Sequence, residues 1–457
     1  MKKKILLLSL PFYLYATSID FDLSLEKTLN NNKSLKAKEQ DIKKSQLDLK
    51  EASGYDYGSL IFNENISVTN NAGYVFGAKL ASREATFGDF GFAEFDMTGA
   101  TNPLPVAPEA LNNPDKRKNY ETKLTYKLPI FTGYKLKNAK KMAKLQILAQ
   151  KAKYNYDQKA LGLEVLKAYN GAVASKEFIK ATLKAKEATN SFKEFANELY
   201  KEGLVTNIDV KQATVYDMGV DTKIIEAKNR FDLSISYLRF LTSDDTITDV
   251  KEFKNIDIDS KVLSSLQNQA KDNREDFKWM RYNTDTMRAK IDFESADLYP
   301  MVGAQIEYGY NDNSFTIVDI NEHDYYMGAI GISYTLFDGS ISKIKEQKAK
   351  IEYKKTLNYF EYMEDGIKLE VEKNLLTLNA KEKILNQKIK AQNLADEVLE
   401  QSSQMYKNHL INMSNLLMQQ ASSQKASAET IMAKYEKSLQ AATLKISLGE
   451  TLQSKDK

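Results

Sequence analysis

The chain has no cysteine, two histidines and one tryptophan among its 457 residues. The missing thiols exclude a disulfide framework, thiolate metal sites and a lipid-modified N-terminal cysteine together. The two imidazoles, His323 and His409, fall in a predicted loop and at a predicted helix tip, so no paired-histidine metal site is available within one chain. Neither a glycine-rich phosphate loop nor a nucleophile elbow is present. An enzyme is not expected, nor is a cofactor or metal. Charge of one sign is also lacking: 65 Lys and Arg face 62 Asp and Glu, for a net charge of +3. No concentrated basic patch argues for nucleic acid. Beyond the N-terminus no apolar run reaches the ~20 residues of a spanning helix.

The N-terminus reads as an export signal. Lys2, Lys3 and Lys4 form a basic region, Ile5 to Tyr15 an apolar stretch, and Ala16 a site before the cut, so 1–16 is the expected signal peptide. Leu14 is large where a small residue is usual.

What the chain does have is repetition. At a constant offset of 206 residues, Phe131 falls on Phe337, Gly133 on Gly339, Leu163-Glu164-Val165 on Leu369-Glu370-Val371 and Tyr200-Lys201 on Tyr406-Lys407. Before the strands the offset is 242, with Asn31 on Asn273, Ser53 on Ser295 and Tyr57 on Tyr299. The difference of 36 places an insertion in the first unit, within 81–119, where Gly88, Gly91, Gly99, Pro103, Pro105, Pro108 and Pro114 mark a loop. A tandem of two strand-plus-helix-hairpin units follows.

Four stretches alternate with period two, which puts apolar and polar residues on opposite sheet faces. They are expected at about 59–80, 119–131, 300–311 and 324–337. Ile66, Val68, Tyr74 and Phe76 oppose Asn63, Asn65, Ser67 and Asn71; Leu124, Tyr126 and Leu128 oppose Lys123, Thr125 and Lys127. Ile306 and Tyr308 oppose Gln305 and Glu307; Ile330 and Ile332 oppose Gly331 and Ser333. A soluble sheet with one wet face would alternate in the same way. However, each stretch reaches the ~9–11 residues of a membrane-crossing strand, and tyrosines gather toward the strand ends. Four strands cannot close a barrel, and lipid does not tolerate open edges, so the barrel is expected to be shared between chains.

Residues 133–201 and 339–405 contain no proline and keep helical apolar spacing. Either helix would extend roughly 100 Å. Each returns after a short break, with Val220, Ile224, Ala227, Phe231 and Leu238, or Ile431, Tyr435, Leu439, Ala442 and Ile446, as heptad-like seams of antiparallel coiled coil. The turns begin at Tyr200 and Tyr406. Gly203 suits a left-handed helix terminus, and Thr206 or Asn207, like Asn412 or Ser414, suits a cap. The expected layout is a first repeat over 17–243 (hairpin 133–243), a linker over 244–260, a second repeat over 261–450 (hairpin 339–450) and a tail over 451–457.

At this point the chain resembles the TolC family of outer-membrane efflux proteins. The resemblance rests on Leu25 to Asn32, on Leu128-Pro129-Ile130-Phe131-Thr132-Gly133 and Leu336-Phe337-Asp338-Gly339, and on Tyr200-x-x-Gly203 with Asp209-Val210. It implies an α+β membrane protein forming a homotrimer, with a shared twelve-stranded barrel in the outer membrane of a Gram-negative bacterium and a long periplasmic α-helical tunnel. It also implies the exit duct of a tripartite efflux or type I secretion system, opened by a periplasmic adaptor (membrane fusion protein) and an inner-membrane pump. By position, the gate candidates are Asp209, Gln212, Asn415 and Met418, an amide and a thioether standing in the second unit where the family pattern is acidic. The adaptor-contact candidates are Gly203, Leu204, Val205, Thr206, Leu410, Ile411 and Asn412. The competing reading is a structural coiled-coil surface protein or adhesin with a soluble β cap.

Overall fold

The computed structural model describes residues 17–258, 262–315 and 323–453. The expected signal peptide lies outside the described residues, as do the last residues of the expected linker, part of the 311–324 connection and most of the expected tail. In chain order the elements are β1 (Thr17–Ile19), α1 (Phe21–Asn31), α2 (Lys33–Gly54), β2 (Ser59–Thr69), α3 (Ala72–Ala81), α4 (Glu109–Asn112), β3 (Arg117–Thr132), α5 (Lys135–Lys201), α6 (Asn207–Thr242), β4 (Ile247–Val250), α7 (Leu263–Asn273), α8 (Glu275–Glu294), β5 (Met301–Asp312), β6 (Asp324–Ser333), α9 (Ile341–Lys407) and α10 (Met413–Ser447). The duplication is carried to the residue. The starts of α9 and α10 and the end of α9 stand 206 positions beyond those of α5, α6 and α5, and both long helices have 67 residues.

The compact units are not the two repeats. One comprises Met1–Lys43, Leu148–Tyr282 and Leu357–Lys457, the other Lys44–Ile147 and Asn283–Thr356, so each draws on both halves of the duplication.

The strand-bearing unit holds an antiparallel sheet in the order β2-β3-β5-β6. Its register aligns Phe62, Leu124, Tyr308 and Tyr326 across all the strands. Alternation puts Leu60, Phe62, Ile66 and Val68 of β2 on one face with Leu124, Ile306, Tyr326, Ile330 and Ile332, and all of these are exposed. Among the β2 residues on that face Glu64 is the exception, answered by the Thr122 hydroxyl opposite it at 2.5 Å. The other face is a hydrogen-bonded polar layer. Thr125 and Tyr325 donate to Glu307 at 3.1 and 3.2 Å, and Lys123 lies 3.2 Å from Glu121. Tyr325 lies across Gly309, where a Cβ would meet its ring at 2.3 Å. An aromatic ring covering a strand glycine in this way supports the register.

Where β3 runs into α5, Gly133 and Tyr134 both take positive φ, +60° and +68°. A Cβ on Gly133 would sit 2.3 Å from the Ala296 carbonyl oxygen, so glycine is required twice over, for conformation and for space.

The expected strand over 59–80 is corrected. β2 ends at Thr69 and 72–81 is helical. The Asn71 carboxamide accepts from the Tyr74 N–H at 3.4 Å and caps α3. Ala72, Tyr74, Phe76, Ala78 and Leu80 alternate as a strand would, and Gly73 and Gly77 are poor helix formers, but the Asn71 cap sets the helix against both. The expected strand over 324–337 is likewise shortened, to Asp324–Ser333.

The helical unit has a continuous core. Phe21, Leu25, Leu166, Tyr169, Leu238, Leu266, Phe277, Val371 and Leu444 are nearly inaccessible within it. Phe21 and Tyr169 meet edge to face at 5.9 Å, and the Tyr169 hydroxyl donates to the Glu252 carbonyl at 3.0 Å. Gly162 lets the Leu25 side chain approach α5 to 3.4 Å of its absent Cβ. The expected 244–260 linker is more than a linker: β4 pairs in parallel with β1, Ile19 opposite Val250. Asp244 is tied to Lys27 at 2.6 Å. Burial works to raise its carboxyl, but the Lys27 and Thr246 hydrogen bonds hold it down at about 2. Leu452, within the expected tail, belongs to the core.

Candidate functional site: the helix tips

Both hairpins turn through the same device. After α5, the Gly203 and Leu204 N–H groups donate to the Tyr200 and Leu199 carbonyls at 3.0 and 2.9 Å. After α9, His409 and Leu410 repeat this toward Tyr406 and Met405 at 3.0 and 2.9 Å. The left-handed residue is Gly203 (φ +73°) in the first turn and His409 (φ +60°) in the second. Such end-of-helix bonds satisfy carbonyls that the helix leaves open.

The returning helices are capped by Thr206 and Asn412. In the first tip the Thr206 N–H and hydroxyl both donate to the Asp209 carboxylate, at 3.0 and 2.8 Å. This is the reciprocal arrangement of a capping box, with an acid placed in the positive field of the helix start. In the second tip the Asn412 carboxamide accepts from the Asn415 N–H at 2.9 Å. Asn415 itself is exposed and returns no side-chain bond to the cap. Asp209 therefore has a structural use at its own helix start, whereas Asn415 and Met418 face outward.

The two tips pack on a shared apolar cluster of Ala196, Leu199, Ala213, Tyr406, Met413, Leu416 and Leu417. Val205 and Ile411 are partly buried against it, while Leu204 and Leu410 stand exposed at 57% and 68%. The structure thus divides the adaptor-contact candidates: one residue of each turn braces the tip and its neighbour faces out. Gly203, Thr206 and Asn412 are exposed turn and cap positions. Gln212 lines a recess of about 460 Å³ with Ile208, Val215, Ser414 and Leu417, which brings it against the second hairpin.

Tyr406 carries more than its place in the repeat suggests. Its ring meets Phe195 at 5.9 Å, and its hydroxyl is buried with no hydrogen-bond partner among the described residues. Burial, and then the charge of Asp209, push the phenol up to about 12. Its counterpart Tyr200 is exposed, so the offset alone does not distinguish them. Farther along the first hairpin, Asp217 is buried between Lys186 at 2.8 Å and Lys193 at 3.0 Å. Burial opposes its ionisation, but the two lysines outweigh it and hold the carboxyl below its ordinary range. Asp217 stands three residues before Val220, in line with the apolar seam, but a seam traced through apolar residues begins only at Val220 and so passes over this clamp.

The model of the family described as outer membrane efflux protein matches residues 107–242 and 266–450. Solved structures similar to this chain include the outer membrane protein VceC of Vibrio cholerae, at 15% identity and TM-score 0.76, over 94% of this chain and 96% of that one. The CmeC outer membrane channel of Campylobacter jejuni matches at 12% identity and TM-score 0.77, over 95% and 87%. The MtrE outer membrane channel of Neisseria gonorrhoeae, in its open state, matches at 14% identity and TM-score 0.75, over 95% and 89%. At these identities the likeness speaks for the fold. No curated protein matches.

Proposed function

The chain belongs to the outer membrane efflux protein family, the exit ducts of efflux systems in the Gram-negative outer membrane, and from that premise we propose that three copies form a passive conduit opened at the helix tips. The observation that carries the reading is the sheet. It has an uncovered apolar face, and β2 and β6 have one unpaired edge each among the described residues. Neither water nor lipid suits open edges beside such a face, whereas strands from neighbouring copies satisfy them. Three copies supply twelve strands, an even number within the range of closed barrels. The helical unit carries matching faces. Val215, Met218, Ile225 and Phe240 on α6, and Tyr362, Leu369 and Leu376 on α9, are exposed at near-heptad spacing, as expected of seams between copies. A soluble β cap on an adhesin would leave all of this apolar surface in water.

In this reading a periplasmic adaptor contacts Leu204 and Leu410 at the tips with Gly203, Thr206 and Asn412 beside them, and an inner-membrane pump supplies energy and selects cargo. Val205 and Ile411 support those turns from within. Asp209, Gln212, Asn415 and Met418 line the narrowing, where three Asp209 carboxylates favour cations. The chain has no cysteine, so engineered cysteines report cleanly. One cysteine scanned along β2 against one scanned along β6 should yield disulfide-linked trimers in at least one register. Absence of cross-linking between chains in every register contradicts the shared barrel. For the gate, Asp209→Asn should reduce cation preference in a planar bilayer; unchanged ion selectivity removes Asp209 from the narrowing.

A further inference from the structure

The strand-bearing unit brings together three side chains from distant parts of the chain: Glu84, just after α3; Asp312, the last residue of β5; and His323, immediately before β6. One donor atom of each lies within 4.8 Å of the others. Asp312 is buried at 7% exposure, so one of the two carboxylates is held out of bulk water. The Nδ1 of His323 is sealed from solvent and has no hydrogen-bond partner among the described residues. A buried ring nitrogen without a partner is unusual, because buried polar atoms are nearly always satisfied.

The carboxylates are already positioned. The Tyr310 hydroxyl donates to Asp312 at 2.8 Å, and the Ser314 N–H donates to its other oxygen at 3.2 Å. Glu84 accepts from the Arg117 guanidinium through one oxygen and from the Asn313 carboxamide at 3.1 Å through the other. Glu84 Oε1 keeps a second lone pair for an ion, whereas Glu84 Oε2 also accepts from the Ser82 hydroxyl at 3.0 Å. Asp312 Oδ1 also accepts from the Asn313 N–H, so an ion reaches Asp312 by displacing its longest contact, the Ser314 hydroxyl on Oδ2 at 3.4 Å. Supports of this kind orient the ligands of metal sites. Arg117 offsets one of the two carboxylate charges, which leaves about one net negative charge for a cation. The His323 ring also rests edge-on against Tyr310 at 5.8 Å, which restricts its orientation.

We propose that Glu84, Asp312 and His323 form a divalent-cation site, with Zn²⁺ as the ion its donor set fits best. One imidazole nitrogen with two carboxylate oxygens suits a borderline transition ion, whereas Ca²⁺ and Mg²⁺ prefer all-oxygen shells. Three protein ligands leave a position for water. Donors around a tetrahedral ion stand about 3.4 Å apart, so binding needs an inward movement of roughly an ångström. The ion would fasten the start of the first-repeat insertion to the β5–β6 end of the sheet. The second repeat lacks that insertion, so there is one site per chain.

The test uses the full chain in mild detergent, without a histidine tag and stripped of metal. Co²⁺ is titrated and followed by its visible absorption, with Zn²⁺ as competitor. The expected result is one Co²⁺ per chain, displaced by Zn²⁺ and not by excess Ca²⁺. His323→Gln and Glu84→Gln should each weaken binding about ten-fold or more, while His409→Gln leaves it unchanged. Helical melting and native mass of the variants guard against misfolding. No saturable binding at one ion per chain, equal binding by His323→Gln, or loss of binding in His409→Gln overturns the site.

Discussion

The two hairpins share helix length and register, yet they are finished with different chemistry. The first tip turns on glycine, closes its cap with an acid and clamps a buried carboxylate, Asp217, between two lysines. The second turns on histidine, caps with an amide alone and, at the position matching Asp217, has Ser423 bonded to Asp396 at 2.5 Å. The same contrast holds where strands meet helices. Gly133 is wedged against the Ala296 carbonyl, whereas Gly339, also left-handed, has nothing among the described residues within 4 Å of where a Cβ would stand. Duplication copied the backbone; the side chains have since divided the tasks. At these matched positions the first copy carries the capping acid, the clamped carboxylate and the wedged glycine, and the second carries an amide, a serine and a left-handed histidine.

The largest expected break in this comparison is at the strand–helix joints. Gly133→Ala combines about 1–2 kcal/mol for a left-handed alanine with about 1–3 kcal/mol for overlap at the carbonyl. Gly339→Ala incurs only the first. In denaturant melts followed by helical signal, the two variants should differ clearly; equal losses would mean that the Ala296 contact is not tight.

Next comes the carboxylate clamp. Asp217→Ala should cost about 2–3 kcal/mol, less than for a fully buried pair because both lysines reach water. Ser423→Ala should cost about 1 kcal/mol. The clamp also predicts a pH dependence. A carboxyl held lower in the folded than in the unfolded chain adds stability above its unfolded value and loses it as pH falls through the folded one. Wild type should therefore lose stability on acidification below the ordinary carboxylate range, and Asp217→Asn should lose less. Parallel acid profiles would contradict the clamp.

Exchanging the turn residues gives a smaller effect. His409→Gly should stabilise by about 1 kcal/mol and Gly203→Ala should destabilise by about as much, since only glycine adopts positive φ without strain. The smallest is at the caps, where Asp209→Asn should cost about 0.5–1 kcal/mol. Asn415→Asp should recover a similar amount by completing the second box. No change on thermal melting in either variant would mean that the capping acid is energetically idle.

Much of the fold could be read from the residues because the duplication is written in register. Gly133 and Gly339, or Leu163 to Val165 and Leu369 to Val371, keep the offset that the helix ends then follow. The overrun of β2 into α3 arose because small residues satisfy either period. The pairing of β1 with β4 escaped because three or four residues carry no period at all. At the tips, exposure depends on the neighbouring hairpin. Val205 and Leu204 look alike in sequence, and only the shared cluster separates a brace from an outward face. The Glu84, Asp312 and His323 group was invisible for a similar reason. A search for paired histidines cannot find a set assembled from three segments.

The most direct test of the shared barrel is the native mass of the mature protein extracted from outer membranes in mild detergent, corrected for bound detergent. The account predicts three chains per particle and loss of solubility when detergent is removed. A monomer that stays soluble without detergent would mean that the apolar face of β2, β3, β5 and β6 never meets lipid.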